Sequence, residues 1–522
     1  MSDLDVSQAE RTITTIGVAG AGTMGSGIAL VALQAGFTVI LFDIAADVLA
    51  RGRQYIQQQL TRTGNDAAPQ HLICSTQIGD LAGSEVVIEA VVENLAVKQE
   101  LFEQLDTICP PPAILATNTS TLSITAIAAA VTSPGRVGGM HFFNPAPVLP
   151  LVEIGRGAQT GAETVQTLAA LAEQMGKTPV VTPDTPGFIV NRVARPFYGE
   201  ALRLLGEGVA TLEQIDQVVQ LGGHFRMGPF RLMDLIGLDI NLAATRSMYE
   251  QTYGEPRYQP HWIQEQMVRQ HALGRKTGRG FYTYDSNTPP PEMPLPPPGE
   301  RRSGPVWISS GSWAPGLAGL IQGAGYSLTD SAASKPTAGV VMAGRSEDLK
   351  EHVQSFEQAL PPEVPLFCQA ADVTVSETAT WLTRPERLVG FDGLFVTTGQ
   401  AVTLVAGPIL LDHIRHAAEQ FFTGLGRRVV WIEDSPALIL PRLICMLANE
   451  AAFAAGDGVA DGETIDRAMT LGANYPKGPL AWAKELGYGR VVAVLDHLQA
   501  EYGEDRYRTA PLLRRLARLD QL

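Results

Sequence analysis

Three glycines between an apolar run and a helical run constrain the fold of this chain most. Residues 12–19 read TITTIGVA, and the turn GAGTMG then leads into the helical pattern GIALVALQAG. Gly20 permits a tight turn, Gly22 lets the backbone approach a pyrophosphate, and Gly25 lets helix and strand pack closely. The helix N-terminus favours negative charge. This stretch therefore predicts the first βα unit of a doubly wound dinucleotide-binding fold.

The next apolar run predicts which dinucleotide binds. The segment FTVILFD ends at Asp43, about twenty residues beyond the glycines, where a carboxylate accepts both ribose hydroxyls and repels a 2′-phosphate. Ile44, Ala45 and Ala46 follow and offer nothing to a phosphate. The sequence therefore favours NAD over NADP.

A second constrained stretch, GMHFFNPAPVLPLVEI, spans residues 139–154. Pro145 and Pro147 make a stiff turn after His141, because proline fixes φ and has no N–H. Glu153 lies among apolar residues of a β-like run, where a carboxylate needs a partner. A His–Glu pair satisfies both groups. The alternative is a structural histidine and an unrelated carboxylate at a strand edge.

Two further apolar runs bring polar residues to the same predicted sheet edge. The run SEVVIEAVV ends at Glu93, ahead of a helix that carries Lys98, and the run AILATNT leads to Asn118 and Ser120. Ligands of open α/β sheets bind at the carboxyl ends of the strands. A salt-bridged helix start is the alternative for Glu93 and Lys98. For Ser120 the alternative is a helix N-cap, a task that Thr119 or Thr121 could also perform.

The HFFNP turn, with a glutamate twelve positions after its histidine, resembles the signature of the 3-hydroxyacyl-CoA dehydrogenases. The resemblance extends from about Ile16 to Tyr284, and a weaker copy covers much of the rest. It implies oxidation of the 3-hydroxyl group of an acyl-CoA thioester by NAD, without a metal. It implies catalytic roles for Ser120, His141, Glu153 and Asn191, and cofactor contacts by Gly20, Gly22, Thr23, Met24, Gly25, Asp43, Glu93, Lys98, Asn118 and Asn144.

The resemblance also bears on the substrate. The chain is most similar to a two-copy bacterial form linked to phenylacetate breakdown, which implies 3-hydroxyadipyl-CoA, with 3-hydroxybutyryl-CoA or another short chain as the alternative. Arg51, Arg53 and Arg62 either form a solvated face or meet CoA phosphates. A related β-hydroxyacid dehydrogenase would need a catalytic lysine in the helical domain, and a non-catalytic NAD-binding protein would not need the intact catalytic set.

The second half of the chain is a diverged copy of the first half. A shift of 289 residues places Gly20, Gly25 and Asp43 over Ser309, Ala314 and Ala332, while Gly22 becomes Gly311. Shifts of 251 and 250 place His141, Glu153 and Asn191 over Asp392, Leu404 and Pro441. The second copy is thus expected to keep the fold and lose the chemistry.

These patterns predict an α/β chain with a Rossmann-type NAD-binding domain, an all-α domain, a degenerate Rossmann-like segment and a second all-α domain. The expected ranges are 12–183, 184–287, a proline-rich linker at 288–303, 304–433 and 434–522. Because single-copy members of the family pair their helical domains between subunits, the two helical domains here are expected to pair within one chain around a pseudo-twofold axis. A homo-oligomer remains open.

Composition excludes several classes of partner. The net charge of −15 argues against a nucleic-acid surface. No apolar run reaches the ~18 residues of a membrane span, and the acidic N-terminus lacks the features of a signal peptide. The four cysteines show no zinc or disulfide spacing. We therefore expect a cytoplasmic enzyme without metal, whose partner is an acyl-CoA.

Overall fold

The computed structural model describes residues 13–64, 68–284, 304–309, 316–344 and 348–520. The predicted linker at 288–303, and the repeat positions Gly311 and Ala314, lie outside these residues. No helix in the described ranges is long and apolar enough to cross a membrane.

The N-terminal part contains a six-stranded parallel sheet. Its strands, in chain order, are β1 (Thr15–Ala19), β2 (Thr38–Phe42), β3 (Leu72–Ser75), β4 (Val86–Glu89), β5 (Ile114–Thr117) and β6 (Val137–Gly139), and the spatial order is β3-β2-β1-β4-β5-β6. The helices between them are α1 (Thr23–Gln34), α2 (Ala46–Arg62), α3 (Leu95–Ile108) and α4 (Ile124–Ala128). The order reverses between β1 and β4, which creates a crevice at the carboxyl ends of these two strands.

Side chains from both faces of this sheet are buried. Val86 and Ile88 belong to one hydrophobic core, whereas Val87, which lies between them on β4, belongs to the other. Alternation with a period of two places neighbouring residues on opposite faces, and a sheet covered on both sides needs apolar residues at every position. This explains why the strand sequences are continuously apolar.

A small sheet follows the large one. It contains β7 (His141–Phe142), β8 (Leu151–Arg156) and β9 (Thr178–Pro183) in the order β7-β8-β9, with α5 (Ala162–Gln174) between β8 and β9. β7 and β8 are antiparallel, and β8 and β9 are parallel.

The helices that come next differ from the prediction in one respect. They are α6 (Val190–Val193), α7 (Arg195–Gly206), α8 (Leu212–Gly223), α9 (Pro229–Ile236), α10 (Leu238–Gln251) and α11 (Trp262–Arg269). The apolar segment FIVNRVARPFYGEALRLLGEG, residues 188–208, predicts one long helix after the DTPG turn, and this prediction is wrong. Phe188 has a positive φ of 49°, and the helix is interrupted at Ala194. Pro196 explains the interruption, because proline has no N–H for a helix interior.

The degenerate Rossmann-like segment contains a seven-stranded sheet. Its strands are β10 (Pro305–Ile308), β11 (Ser327–Thr329), β12 (Ala338–Val341), β13 (Leu366–Gln369), β14 (Leu388–Phe391), β15 (Ala401–Ala406) and β16 (Arg428–Ile432), in the order β11-β10-β12-β13-β14-β15-β16. Its helices are α12 (Leu317–Gly323), α13 (Leu349–Ala359), α14 (Val375–Ala379) and α15 (Asp412–Gly424). The reversal at β10 and β12 repeats that of the first sheet, so the predicted fold class is confirmed.

The C-terminal helices repeat those after the small sheet. They are α16 (Leu440–Gly456), α17 (Gly462–Gly472), α18 (Pro479–Leu486), α19 (Tyr488–Tyr502) and α20 (Pro511–Leu519). A shift of 250 residues carries the start of α8 onto the start of α17, and that of α9 onto that of α18. The helical repeat is therefore nearly free of insertions.

The chain forms two compact units that do not follow the repeat boundary. The first unit comprises Met1–Arg192 and Gly458–Ala473, and the second comprises Val193–Asp457 and Asn474–Leu522. In the first unit, α17 of the second repeat packs on β8. In the second unit, α8 of the first repeat packs on β15. Each unit thus contains a strand from one repeat and a helix from the other.

Candidate active site

Two neighbouring strands bring the predicted histidine and glutamate together. His141 and Glu153 are cross-strand partners on β7 and β8, and Nδ1 of the imidazole lies 2.7 Å from Oε2 of the carboxylate. Both side chains are buried. Because a carboxylate only accepts hydrogen bonds, Nδ1–H donates to Glu153. The neutral ring therefore presents the lone pair of Nε2, as a general base requires.

The other oxygen of Glu153 is held by the backbone. Oε1 accepts hydrogen bonds from the N–H groups of Ile189 and Val190, at 3.0 and 2.9 Å. The turn with positive φ at Gly187 and Phe188 precedes these two N–H groups. Sequence reasoning missed this contact, although the pattern DTPG before Phe188 was a visible turn signal. The carboxylate thus has a partner on each oxygen.

The remaining predicted catalytic residues lie on the far side of the imidazole. Ser120 Oγ is 3.1 Å from His141 Nε2, and the amide of Asn191 donates to the Ser120 carbonyl over 3.3 Å. The helix cap expected of Thr119 or Thr121 is instead Ser123, whose side chain accepts from Ala126 N, because α4 begins only at Ile124. The hydroxyl of Ser120 is consequently available to the site.

Glu93 and Lys98 support the loop that carries Ser120. Oε1 of Glu93 accepts from the Thr119 hydroxyl and from the backbone N–H groups of Ser120 and Thr121, at 2.7, 2.8 and 3.0 Å. Lys98 is buried and lies 3.3 Å from the other oxygen of Glu93. Burial would raise the pKa of Glu93, but Lys98 and these donors outweigh burial and lower it. The carboxylate therefore stays charged.

A residue that the sequence analysis did not single out completes this group. Glu89 is fully buried at the end of β4 and accepts from Lys98 Nζ at 2.6 Å and from the Thr117 hydroxyl at 2.7 Å. Burial raises the pKa of Glu89 against the attraction of Lys98. A single charged residue inside the apolar run VVIEAVV was the signal that could have identified it.

The two predicted asparagines differ in their surroundings. Asn118 is buried, and its Oδ1 accepts from Phe142 N at 2.8 Å, which ties the end of β5 to β7. Asn144 is exposed on the turn after β7. The ring of Phe143 lies beside the imidazole, with a centroid separation of 4.5 Å from His141. Any contact of either asparagine with a cofactor stays a prediction.

The glycine turn has the shape that a pyrophosphate needs. Gly20 has a φ of +108°, and a methyl group on Gly25 would lie 1.8 Å from the Gly20 carbonyl oxygen. A methyl group on Gly22 would meet no atom within 4 Å, so it would occupy the open space above the turn. Thr23 and Met24 begin α1, whose first turn contains no acidic residue. This arrangement fits the phosphates of a dinucleotide.

Asp43 lies where the ribose carboxylate is expected. Its two oxygens accept from Ala21 N of the glycine turn at 2.8 Å and from Ala45 N at 2.9 Å, so β2 is tied to the turn. The side chain is half-buried, and Ile44 beside it is exposed. The described residues hold no cluster of His, Cys, Asp or Glu suited to a metal ion.

The second repeat has different groups at the catalytic positions. Asp392 replaces His141, and its carboxylate accepts from the N–H groups of Leu394 and Phe395. Burial raises the pKa of Asp392 to about 7. The prediction that Leu404 replaces Glu153 is wrong by one residue. Asp392 N donates to Thr403 O, so Thr403 is the cross-strand neighbour, because the connection between these strands is one residue shorter.

Comparison with known proteins gives a family assignment. Residues 15–185 match the 3-hydroxyacyl-CoA dehydrogenase NAD binding domain, and residues 187–284 and 438–522 both match the C-terminal domain of that family. The chain is 38% identical to 3-hydroxyadipyl-CoA dehydrogenase of Escherichia coli, over 97% of this chain and 98% of that protein. It is 44% identical to a probable 3-hydroxybutyryl-CoA dehydrogenase of Bacillus subtilis, over 53% of this chain and 99% of that protein.

Solved structures agree with the sequence comparison. The crystal structure of 3-hydroxybutyryl-CoA dehydrogenase from Escherichia coli matches with a TM-score of 0.80 and 37% identity, over 98% of this chain and 99% of that one. The double match to the C-terminal domain agrees with the internal repeat. NAD is the cofactor of this chain, whose residues 15–185 match the NAD binding domain of the family. The chain belongs to the 3-hydroxyacyl-CoA dehydrogenase family.

Proposed function

We propose that this protein oxidises a (3S)-3-hydroxyacyl-CoA to the 3-oxoacyl-CoA, with His141 as the general base. The hydrogen-bonded series Glu153, His141, Ser120 carries this proposal, because it leaves an imidazole lone pair beside a hydroxyl group. The series lies on elements that adjoin the carboxyl edge of the NAD-binding sheet, where ligands of such sheets bind. A non-catalytic NAD-binding protein would have no use for this arrangement.

In the proposed reaction the substrate loses a hydride from C3 and a proton from the hydroxyl oxygen. Bound NAD supplies the hydride acceptor. His141 Nε2 takes the proton, and Glu153 stabilises the imidazolium that forms, an interaction that is stronger in a buried site than in water. Ser120 and Asn191 hold the substrate oxygen, on which negative charge develops. In the reverse direction the imidazolium returns the proton.

The cofactor residues have distinct proposed tasks. Gly20, Gly22 and Gly25 admit the pyrophosphate, Thr23 and Met24 form the helix start above it, and Asp43 accepts the ribose hydroxyls. On the nicotinamide side we assign contacts to Glu93, Lys98, Asn118 and Asn144. Because Lys98 lies between two carboxylates, its main effect would be to fix Glu93 and thereby Ser120.

For the acyl group we propose 3-hydroxyadipyl-CoA. The support is the two-repeat relative named for that substrate, which matches this chain over nearly its full length. 3-Hydroxybutyryl-CoA is the second candidate, because the structural relative of similar length is named for it. Initial rates of NADH formation with both thioesters test the proposal. A kcat/KM at least tenfold higher for the dicarboxylic substrate supports the first candidate, and no turnover with either contradicts the function.

We further propose that the chain is cytoplasmic.

We also propose that the helical domains of the two repeats pair with each other within one chain, as two subunits of a dimer would. In the second compact unit, Tyr258 of the first repeat donates to Glu450 of the second at 2.6 Å. Reciprocally, Tyr507 of the second repeat donates to Glu200 of the first at 3.0 Å. Such exchanged contacts are typical of a twofold interface. The domain ranges 12–183, 184–287, 304–433 and 434–522 remain our proposal for the unit boundaries of the repeat.

Asp43→Ala should relax the preference for NAD over NADP. The carboxylate that repels the 2′-phosphate is then gone, so we expect the ratio of kcat/KM values for NAD and NADP to fall by about tenfold or more. Steady-state kinetics with both cofactors measure the ratio. Asp47→Ala is the control, because Asp47 is exposed on α2, where it pairs with Arg51. An unchanged ratio in Asp43→Ala would remove Asp43 from the cofactor site.

Arg442→Met should destabilise the protein strongly. Arg442 is fully buried on α16 and donates to Glu200, Glu207, Tyr502 and Tyr507 at 2.7 to 3.1 Å. Removing one partner of a buried pair leaves an uncompensated charge, so we expect a loss of about 3–5 kcal/mol in the free energy of unfolding at neutral pH. Urea denaturation measures it, with Arg508→Met at a partly exposed pair as the control, where about 0–1 kcal/mol is expected.

The loss in the free energy of unfolding caused by Arg442→Met should depend on pH. Burial would raise the pKa of Glu200, but Arg442, Arg203 and Arg506 outweigh burial and lower it in the folded protein. A lowered folded pKa adds stability near neutral pH that is lost as the pH falls through that pKa. The difference in the free energy of unfolding between wild type and Arg442→Met should therefore become smaller as the pH is lowered. A gap that stays constant would show that the charge of Glu200 is not the cause.

A further inference from the structure

The end of helix α17 packs against residues that adjoin His141 and Glu153 of the first repeat. Gly472 is the last residue of α17 and is buried in the first compact unit. A methyl group on Gly472 would lie 2.5 Å from Leu151 Cδ2, 3.1 Å from Val190 Cγ2 and 3.5 Å from Phe143 Cε2. Since carbon atoms in contact are normally ~3.5–4.0 Å apart, only glycine fits here without displacing its neighbours.

Each of these three neighbours adjoins His141 or Glu153. Leu151 lies two residues before Glu153 on β8, and residues two apart share a face of a strand. The N–H of Val190 donates to Glu153 Oε1 at 2.9 Å. The ring of Phe143 lies 4.5 Å from the imidazole, measured between centroids. The helix end therefore packs on the strand that carries Glu153, on a residue whose N–H donates to Glu153, and on the ring that lies beside His141.

We infer that Gly472 is a positioning residue for the His141–Glu153 pair, so that a helix of the second repeat takes part in catalysis by the first. This inference rests on the proposed function. The second repeat has other residues at the catalytic positions. Its helix α17 packs against Leu151, Val190 and Phe143, and these contacts fix the positions of His141 and Glu153. The catalytic competence of residues 13–192 then depends on a segment more than 260 residues further along the chain.

The repeat itself offers a matched control. Gly222 occupies the same position on α8, and a methyl group there would lie 3.1 Å from Leu440 Cδ2 and 3.7 Å from Ala401 O in the second compact unit. Leu440 and Ala401 are the repeat counterparts of Val190 and Leu151. Gly222 thus has the same kind of packing beside a strand that lacks catalytic groups.

The test compares Gly472→Ala with Gly222→Ala in the full-length protein. Misplacement of catalytic groups by about 1 Å can cost about 100-fold, so we expect kcat of Gly472→Ala to fall about 10- to 100-fold, with an altered acid limb of the pH profile. The NAD dissociation constant should stay within about twofold, since none of the three atoms nearest to a methyl group at Gly472 belongs to the glycine turn or to Asp43. Gly222→Ala should keep kcat and the pH profile of the wild type.

A compensating substitution separates positioning from general destabilisation. In the second repeat an alanine, Ala401, stands opposite Gly222. Adding Leu151→Ala to Gly472→Ala copies this arrangement and removes the nearest clash, so most of the lost kcat should return. Should Gly472→Ala fail to fold, Val190→Ala carries the test with Leu440→Ala as its counterpart, and a lower kcat with a shifted acid limb is expected only for Val190→Ala.

The outcomes are distinct. Wild-type kcat and an unchanged pH profile in folded Gly472→Ala, or in Val190→Ala if that variant is used, overturn this inference and leave the proposed function intact. Equal losses in the α8 and α17 variants also overturn it, because they indicate a structural effect alone. A wild-type protein that reduces no NAD with any 3-hydroxyacyl-CoA overturns the proposed function, and the inference with it.

Discussion

His141→Ala should lower kcat by about 100- to 10,000-fold, the range for loss of a general base. The imidazole is the group whose Nε2 lone pair faces Ser120, while Nδ1 is engaged by Glu153 at 2.7 Å. Without it no other titratable side chain is shown within hydrogen-bond distance of the Ser120 hydroxyl in the described ranges. Steady-state NADH formation with a 3-hydroxyacyl-CoA measures the loss.

Binding measurements make this result specific. The dissociation constant for NAD, obtained by calorimetry, should change little in His141→Ala, because the glycine turn and Asp43 belong to other elements. His71→Ala is the control, since His71 is an exposed histidine of the same unit. If His141→Ala retains wild-type kcat, His141 is not the base and the proposed mechanism is wrong.

Glu153→Gln should also lower kcat by about 100- to 10,000-fold, by reversing the tautomer of the imidazole. Two backbone N–H groups donate to Oε1, so the glutamine carbonyl must take that position. The glutamine NH₂ then faces His141 Nδ1, which has to accept, and the ring proton moves to Nε2. A ring protonated there cannot take a proton from the substrate. An orienting carboxylate in serine proteases shows a loss of this size when it becomes an amide.

The pH profile provides an independent check of this argument. Loss of the negative charge disfavours the imidazolium, so the acid limb of the kcat profile should move to lower pH in Glu153→Gln. Glu163→Gln, an exposed change in the first turn of α5, should leave rate and profile unchanged. If Glu153→Gln has the wild-type profile and rate, Glu153 only supports the fold.

The second repeat has other residues at the positions of the candidate catalytic pair. Asp392 and Thr403 occupy the positions of His141 and Glu153. The Asp392 carboxylate accepts hydrogen bonds from the backbone N–H groups of the residues that follow it. The helices of the second repeat still contact the first repeat. Arg442 on α16 donates to Glu200 on α7, and α17 belongs to the first compact unit.

The sequence by itself determined the fold class and the identity of the candidate catalytic residues. The turn with Gly20, Gly22 and Gly25 demands a βα unit because its conformation and close packing are local properties. His141 and Glu153 could be paired from sequence because a short turn between two apolar runs brings their strands side by side. The spacing of twelve residues makes this a short-range contact in the folded chain.

Only the tertiary structure decided how these residues are held. The N–H groups of Ile189 and Val190 reach Glu153 through a turn with positive φ at Phe188, where helical periodicity predicted a continuous helix. The sequence did not identify Glu89 as a partner of Lys98. The repeat alignment placed Leu404 at the position of Glu153, whereas the structure places Thr403 there. Gly472 lies more than 280 residues along the chain from its neighbours beside the candidate catalytic pair. Local propensity carries no information about such contacts, which arise when packing of the whole chain buries one element against another.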